Sequence, residues 1–488
     1  MTAPNVLIIM SDQHSKHYLG CYGNALVRTP HLDRLAAAGM VMDNCYTASP
    51  LCVPSRMSFM TTRYPSANRV WSNNHILSSA IPTWAHAMGA AGYETALIGR
   101  MHFVGPDQRH GFERRPLGEY SAVFPGATPL GAKQFQQIPV DTSGQTRIAV
   151  ELAGVGRTSY QAFDEMVADA ACDYLQEKSQ TAAARPFAAV ASFVLPHCPF
   201  VAPRELFDYY YDRVDVPQPT AAEVACEPEA VTQFKRSRGL EEPLPAERIR
   251  VARAAYFALC EYFDAQVGKV LEKLDETGLS DNTLVVYCSD HGEMAGEHGC
   301  WWKSNYYEGS VGVPLMARLP GVVPAGKGDP AICNLVDLGA TMIEMADASP
   351  LPVSAGQSLW KVWQGEADPR RSDETFSEHG AQRDPAPSRM IRRGPWKLYK
   401  YHDDSAPVLY NLDEDADEMN DLGSDAASAQ IRDTLLERLY HDWDPEGVVV
   451  ESKRLDRDLE TLTAWGRAVQ PRHEDALPIP DVEDVELR

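Results

Sequence analysis

Asn5-Val6-Leu7-Ile8-Ile9-Met10-Ser11-Asp12-Gln13 is an unbroken apolar run that stops at a polar triplet. A run that short is a strand, and without polar alternation it must be covered on both faces. Thr95–Ile98, Ala188–Val194 and Leu284–Tyr287 have the same texture. Between them, Phe163, Met166, Val167, Ala170, Ala171, Tyr174 and Leu175 recur at i, i+3, i+4 spacing, as do Val267, Val270, Leu271 and Leu274. Doubly buried strands alternating with amphipathic helices predict an α/β fold, with a mostly parallel central sheet flanked by helices.

In open sheets of this kind, ligands bind beyond the carboxyl ends of the strands. The four runs are followed by Ser11-Asp12-Gln13, by Gly99-Arg100-Met101-His102, by Leu195-Pro196-His197, and by Ser289-Asp290-His291-Gly292. Asp12, Gln13, Asp290 and His291 can supply three oxygens and one nitrogen, a set suited to a hard divalent cation such as calcium or manganese. Read singly, Asp12 could cap the next helix and His291 could be a satisfied core histidine. The pairing of two strand ends favours the metal.

Past Arg370 the texture changes. Met390–Tyr399 reads as a hairpin turning at Gly394-Pro395, Val408–Leu412 as a further strand and Ile431–Tyr440 as a closing helix. Three units are therefore expected: residues 1–370, a small α+β subdomain with an antiparallel sheet at 371–445, and a polar tail at 446–488. The tail cannot build a core of its own, yet Val448-Val449-Val450, Leu459, Leu462 and Trp465 offer apolar anchors. It is expected to be an oligomerisation arm of a homo-oligomer.

A net charge of −23 argues against nucleic acid and anionic membrane as partners, and it requires any anionic substrate to meet a locally positive site. No apolar run reaches spanning length. Met1–Pro4 leads straight into the first strand with no signal-peptide pattern, and the ten cysteines form no CxxC pair. The expectation is a cytoplasmic protein with free thiols.

Cys52-Val53-Pro54-Ser55-Arg56 is the most specific segment. It places a cysteine at a helix start, with proline in the first turn and Arg56 returning along the same face. Alone it fits an activated thiolate or a plain buried cysteine. The motif resembles the maturation signature of the formylglycine-dependent sulfatases, of the alkaline phosphatase superfamily, in which a formylglycine-generating enzyme oxidises the cysteine to an aldehyde. Asp12-Gln13, Thr29–Leu35, Ser289–Gly292, Leu409–Leu412 and Glu418–Leu422 resemble the same family in order and spacing. Met101–Gln108, Pro196–Phe200 and Trp301-Trp302-Lys303 are similar to choline sulfatases.

The resemblance implies hydrolysis of the sulfate monoester of a small alcohol or phenol. The hydrated aldehyde at Cys52, itself a metal ligand, would form a covalent sulfo-enzyme, and its second hydroxyl would release sulfate. Arg56, Arg100 and Lys303 would offset charge on the sulfuryl oxygens, and Asn73 would bind the sulfate group. His102 would assist the breakdown of the hemiacetal, and His197 or Lys303 would protonate the leaving group. The stretch from Pro116 to Tyr160, where choline sulfatases carry a Trp-containing loop, offers Tyr120, Phe124, Phe135 and Tyr160 but no Trp; Trp71, Trp301 and Trp302 either compensate, with Trp301 and Trp302 binding substrate, or serve in packing. Arg100 stands where the family usually has Lys, and Thr62 where Gly is common. Two further readings stay open at this stage: a phosphonate monoester or phosphodiester hydrolase with the same nucleophile, and a sulfatase-like binding protein without activity.

Overall fold

The computed structural model describes residues 3–130, 144–180, 185–220, 223–224, 227–380, 386–478 and 485–487; Phe135 lies outside them. Eight strands form the central sheet: β1 (Asn5–Asp12), β2 (Met40–Tyr46), β3 (Glu94–Gly99), β4 (Arg114–Leu117), β5 (Phe187–Pro196), β6 (Thr283–Ser289), β7 (Leu315–Arg318) and β8 (Lys327–Asn334). Their spatial order is β8-β2-β7-β6-β1-β5-β3-β4. β7 is antiparallel to both its neighbours, and the other pairings are parallel. The four apolar runs of the sequence are thus neighbours at the centre of the sheet. Their polar carboxyl ends lie side by side.

The absence of alternation in β1 has the expected cause. Leu7 and Ile9 enter one core with Phe163, Val167 and Leu175 of α2 (Ser159–Gln180) and Leu259, Phe263 and Val267 of α3 (Ala246–Glu276). Val6, Ile8 and Met10 enter the opposite core with Val53, Met57 and Met60 of α1 (Cys52–Thr61) and Leu335, Leu338 and Met342 of α4 (Leu335–Met345). At about 1.5–3 kcal/mol for each fully buried aliphatic side chain, both faces hold the strand in place.

A second, antiparallel sheet has the order β9 (Glu374–His379), β10 (Ser388–Arg393), β11 (Trp396–Tyr401) and β12 (Val408–Asn411). The β10–β11 hairpin turns at Gly394-Pro395, and α5 (Ala429–Tyr440) packs Leu435 and Leu439 onto Ile391, Leu398 and Leu409. Lys397 of β11 is fully buried and pairs with Glu418 and, at 3.0 Å, with Glu308. Glu308 also takes Lys16 at 3.0 Å, four residues past Asp12, which ties the second sheet to the end of β1.

Where the polar tail was expected, Pro445–Val469 forms a helix, α6, capped by Asp444 through the Gly447 N–H. It lies along its own chain. Asp456 meets His75 at 3.3 Å, Trp465 packs edge-on against Phe124, and beyond the helix Asp475 and Leu477 share backbone hydrogen bonds with Glu119. Val448 is buried, whereas Val450, Leu462, Trp465 and Val469 remain 69, 40, 44 and 55 % exposed along the helix. Val485–Leu487 pairs with Gly154–Gly156. No helix among the described residues is long and apolar enough to cross a membrane.

Candidate active site

Cys52 begins α1. Leu51 enters in an extended conformation, its carbonyl receives the Ser55 N–H at 3.0 Å, and the helix is buried on every side. The helix ends at Thr62 in the left-handed region (φ 57°), a conformation that a β-branched residue rarely adopts and glycine adopts without strain. Ser55 Oγ donates to the Asp290 carbonyl at 2.6 Å, fastening the start of α1 against the end of β6. Asn73 Oδ1 accepts the Val53 N–H at 3.0 Å from outside the helix.

Asp12, Cys52, Asp290 and His291 each bring one donor atom into a group whose members all lie within 4.8 Å of one another, and all four residues are buried. Cys52 Sγ is 3.0 Å from His291 Nε2 and 3.7 Å from Asp12 Oδ1. His291 Nδ1 donates to the Gly292 carbonyl at 3.1 Å, so its Nε2 lone pair faces the cluster. Burial, with Lys303 nearby, lowers the His291 pKa and keeps the ring neutral, as a ligand must be. Gly292 cannot be larger: a Cβ there would collide with the Gly309 carbonyl oxygen. Two carboxylate oxygens, a neutral imidazole and the side chain at 52 form a donor set that fits a divalent cation.

The inner oxygens of both carboxylates face the cluster, and their outer oxygens are held from behind. Arg56 donates from Nε to Asp290 Oδ2 at 2.7 Å and from Nη2 to Asp12 Oδ2 at 3.1 Å, while its Nη1 donates to the Arg100 carbonyl and to Ser192 Oγ. Arg100 Nε adds a bond to Asp12 Oδ2 at 2.9 Å. Burial alone would raise the Asp12 carboxyl, but the Arg100 and Arg56 guanidiniums outweigh it and hold it well below the ordinary range.

Lys303 and His197 both interact with Cys52. Lys303 Nζ donates to Gln13 Oε1 and, at 2.9 Å, to His197 Nε2; His197 Nδ1 donates to the Cys198 carbonyl at 2.6 Å. Lys303 forms no ion pair among the described residues. Burial would lower its pKa, but Cys52 and Asp12 raise it overall, so it stays an ammonium. Arg100 Nη2 donates to His102 Nδ1 at 2.9 Å, and Arg100 Nη1 donates to Tyr120 Oη at 3.0 Å. The Arg56 and Arg100 guanidiniums face Asp12, Asp290 and Glu119, so Lys303 is the buried cation left for an anionic substrate.

Arg56 was expected to offset charge on the sulfuryl oxygens; in the structure each of its nitrogens is committed to protein acceptors, which makes it a clamp behind the two carboxylates. Trp301 and Trp302 were read as substrate-binding or packing aromatics; Trp301 packs on Phe200 and lines a separate cavity of about 630 Å³ with Leu240, Leu244 and Ile249, and Trp302 is fully buried in the same core. Sequence reading missed Glu293, which accepts from Gln13, and Glu119, which accepts the His102 N–H at 3.0 Å. A carboxylate three residues past Asp290 was the one available signal for the first.

Residues 4–348 match the family model described as Sulfatase, and residues 296–443 match that of the C-terminal part of N-sulphoglucosamine sulphohydrolase. A choline-sulfatase of Rhizobium meliloti (strain 1021) is 37% identical over 429 residues, covering 86% of this chain and 82% of the relative. An arylsulfatase of Clostridium perfringens (strain 13 / Type A) is 29% identical over 377 residues, 73% of this chain and 77% of the relative. Among solved structures, the phosphonate monoester hydrolase of Agrobacterium radiobacter superposes with a TM-score of 0.72 at 23% identity, covering 89% of this chain and 94% of that one, a likeness of fold.

Proposed function

The chain belongs to the sulfatase family and is a sulfuric ester hydrolase, and on that premise we propose that it cleaves the sulfate monoester of a small alcohol or phenol through formylglycine made from Cys52. The observation that carries this reading is that the Cys52 side chain is gathered with the donor atoms of Asp12, Asp290 and His291 in one buried cluster, with Sγ 3.0 Å from His291 Nε2, and that Lys303 and His197 also interact with it. Asp12, Asp290, His291 and the side chain at 52, with the Gln13 amide oxygen beside them, would hold one divalent cation, calcium or manganese. Bound there, the cation supplies charge stabilisation and lowers the pKa of the attacking hydroxyl. Oxidised and hydrated, residue 52 supplies one hydroxyl to attack sulfur and a second to expel sulfate.

The remaining roles follow from hydrogen-bond direction. Lys303, which forms no ion pair among the described residues, balances the sulfuryl charge; Arg100, engaged by Asp12, Tyr120 and His102, orients those groups, and the Asn73 amide nitrogen is the end not used by Val53. His197 Nε2 already accepts from Lys303, so the proton for the leaving oxygen comes from Lys303 while His197 steadies it. His102 accepts from Arg100 at Nδ1, so its Nε2 carries hydrogen. It holds an oxygen there, and takes up a proton only when Arg100 releases Nδ1. A formylglycine-generating enzyme is the maturation partner. The exposed apolar residues of α6 support self-association. Choline is one candidate alcohol, supported by the 37%-identical relative.

Matched nitrophenyl esters of sulfate and of phenylphosphonate test the reading. The sulfate ester is expected to show the higher kcat/KM, and a preference for the phosphonate would overturn it. Lys303→Ala is expected to slow alkyl sulfates by roughly 10²–10⁴-fold, the usual contribution of a general acid, and nitrophenyl sulfate by about tenfold or less. Equal losses on both substrates would reassign Lys303 to sulfate binding.

A further inference from the structure

Glu293 is fully buried three residues past Asp290, outside the donor cluster. Its Oε1 accepts the backbone N–H groups of Ala295 at 2.8 Å and Trp302 at 2.6 Å. Its Oε2 accepts from Gln13 Nε2 at 2.5 Å. The other end of that amide, Gln13 Oε1, takes the Lys303 ammonium. The Gln13 backbone is also pinned: its N–H donates to Asp290 Oδ1 at 3.1 Å and its carbonyl accepts from Tyr256 Oη at 2.8 Å, with φ at 69°.

We propose that Glu293 is a positioning residue that sets which end of the Gln13 amide faces the metal donors, while the same carboxylate fixes the loop that carries Lys303. The inference rests on the cation site proposed above. A carboxylate only accepts hydrogen bonds, so it can hold the amide nitrogen and not the oxygen. With the nitrogen held at Glu293, the oxygen is turned to Lys303, while the Gln13 backbone N–H stays on Asp290 Oδ1. The opposite orientation would aim N–H groups at an ammonium and a cation, donor against donor. Trp302, whose N–H is bonded to Glu293, immediately precedes Lys303, so one buried side chain serves both groups.

Inverting the pair tests this. In Glu293→Gln, the new oxygen can keep the two backbone bonds, but the new NH₂ meets Gln13 and turns its amide over. In Gln13→Glu, two carboxylates face each other. In the double variant, the amide introduced at position 293 donates to the carboxylate introduced at position 13, whose second oxygen again faces the cluster. Calorimetric titration of metal-stripped protein with calcium and with manganese provides a readout independent of turnover. Each single variant is expected to bind at least about tenfold more weakly, as for other losses behind metal ligands, with the melting temperature little changed for Glu293→Gln. The double variant is expected to recover most of that loss, together with kcat on nitrophenyl sulfate. Gln13→Glu leaves Glu293 and its backbone bonds in place, so it serves if Glu293→Gln fails to fold. Wild-type affinity in either single variant, or a double variant no tighter than both singles, would overturn the proposal. A wild-type protein that takes up neither ion would instead overturn the cation site.

Discussion

Cys52→Ala is expected to lower kcat on nitrophenyl sulfate by roughly 10⁴–10⁶-fold while the protein still folds. Nucleophile and partners act as one unit in such hydrolases, so losing the nucleophile alone removes nearly all of their joint effect. Folding survives because the helix start is fastened by Ser55 on the Asp290 carbonyl and by Asn73 on the Val53 N–H, neither of which uses the thiol. Cys52→Ser separates the two hydroxyl roles. A serine can attack sulfur once but has no second hydroxyl on the same carbon, so one equivalent of nitrophenol should appear and the peptide should retain a sulfuryl group by mass spectrometry. Continued turnover in Cys52→Ser, or a fully thiol peptide from active wild-type protein, would remove formylglycine from the reading.

Asp290→Ala is expected to abolish both bound metal and turnover, and to destabilise the metal-free protein by about 3–5 kcal/mol, the usual cost of breaking a buried ion pair from one side. One oxygen of Asp290 receives the Gln13 and His291 N–H groups, and the other receives Arg56 Nε. Its removal leaves a fully buried guanidinium with Asp12 as its sole carboxylate and frees two backbone donors. Elemental analysis and thermal unfolding measure the two effects separately. Near-stoichiometric metal in the variant would rule out Asp290 as a ligand.

The centre of the sheet was legible because strands covered on both faces leave uninterrupted apolar runs, and four such runs ended in polar residues. The edges were not. β8 reads Lys327-Gly328-Asp329-Pro330 at its start and β4 is Arg114-Arg115-Pro116-Leu117, and edge strands tolerate the charge and proline that hide them from pattern reading. The identities of the site residues could be read, but not the directions in which they point. Arg56 lies one turn past Cys52 and so shares its helix face, yet only the packed structure shows its donors spent on Asp12 and Asp290 rather than turned to substrate. Glu293 and Glu119 look like any loop carboxylate in sequence, and burial alone distinguishes them.

Strand order also governs the timing of assembly. β1 emerges first, but Val6 pairs with Ala188 on one side and Leu284 on the other, so neither partner exists when β1 leaves the ribosome. At about 5–20 residues per second, synthesis leaves its second edge unpaired for roughly 15–55 s. During that wait β1 is a bare apolar ribbon, the kind of segment that aggregates or needs a chaperone. A nascent chain stopped before β6 has neither a closed sheet centre nor Asp290 and His291, and so no pocket to bury Cys52.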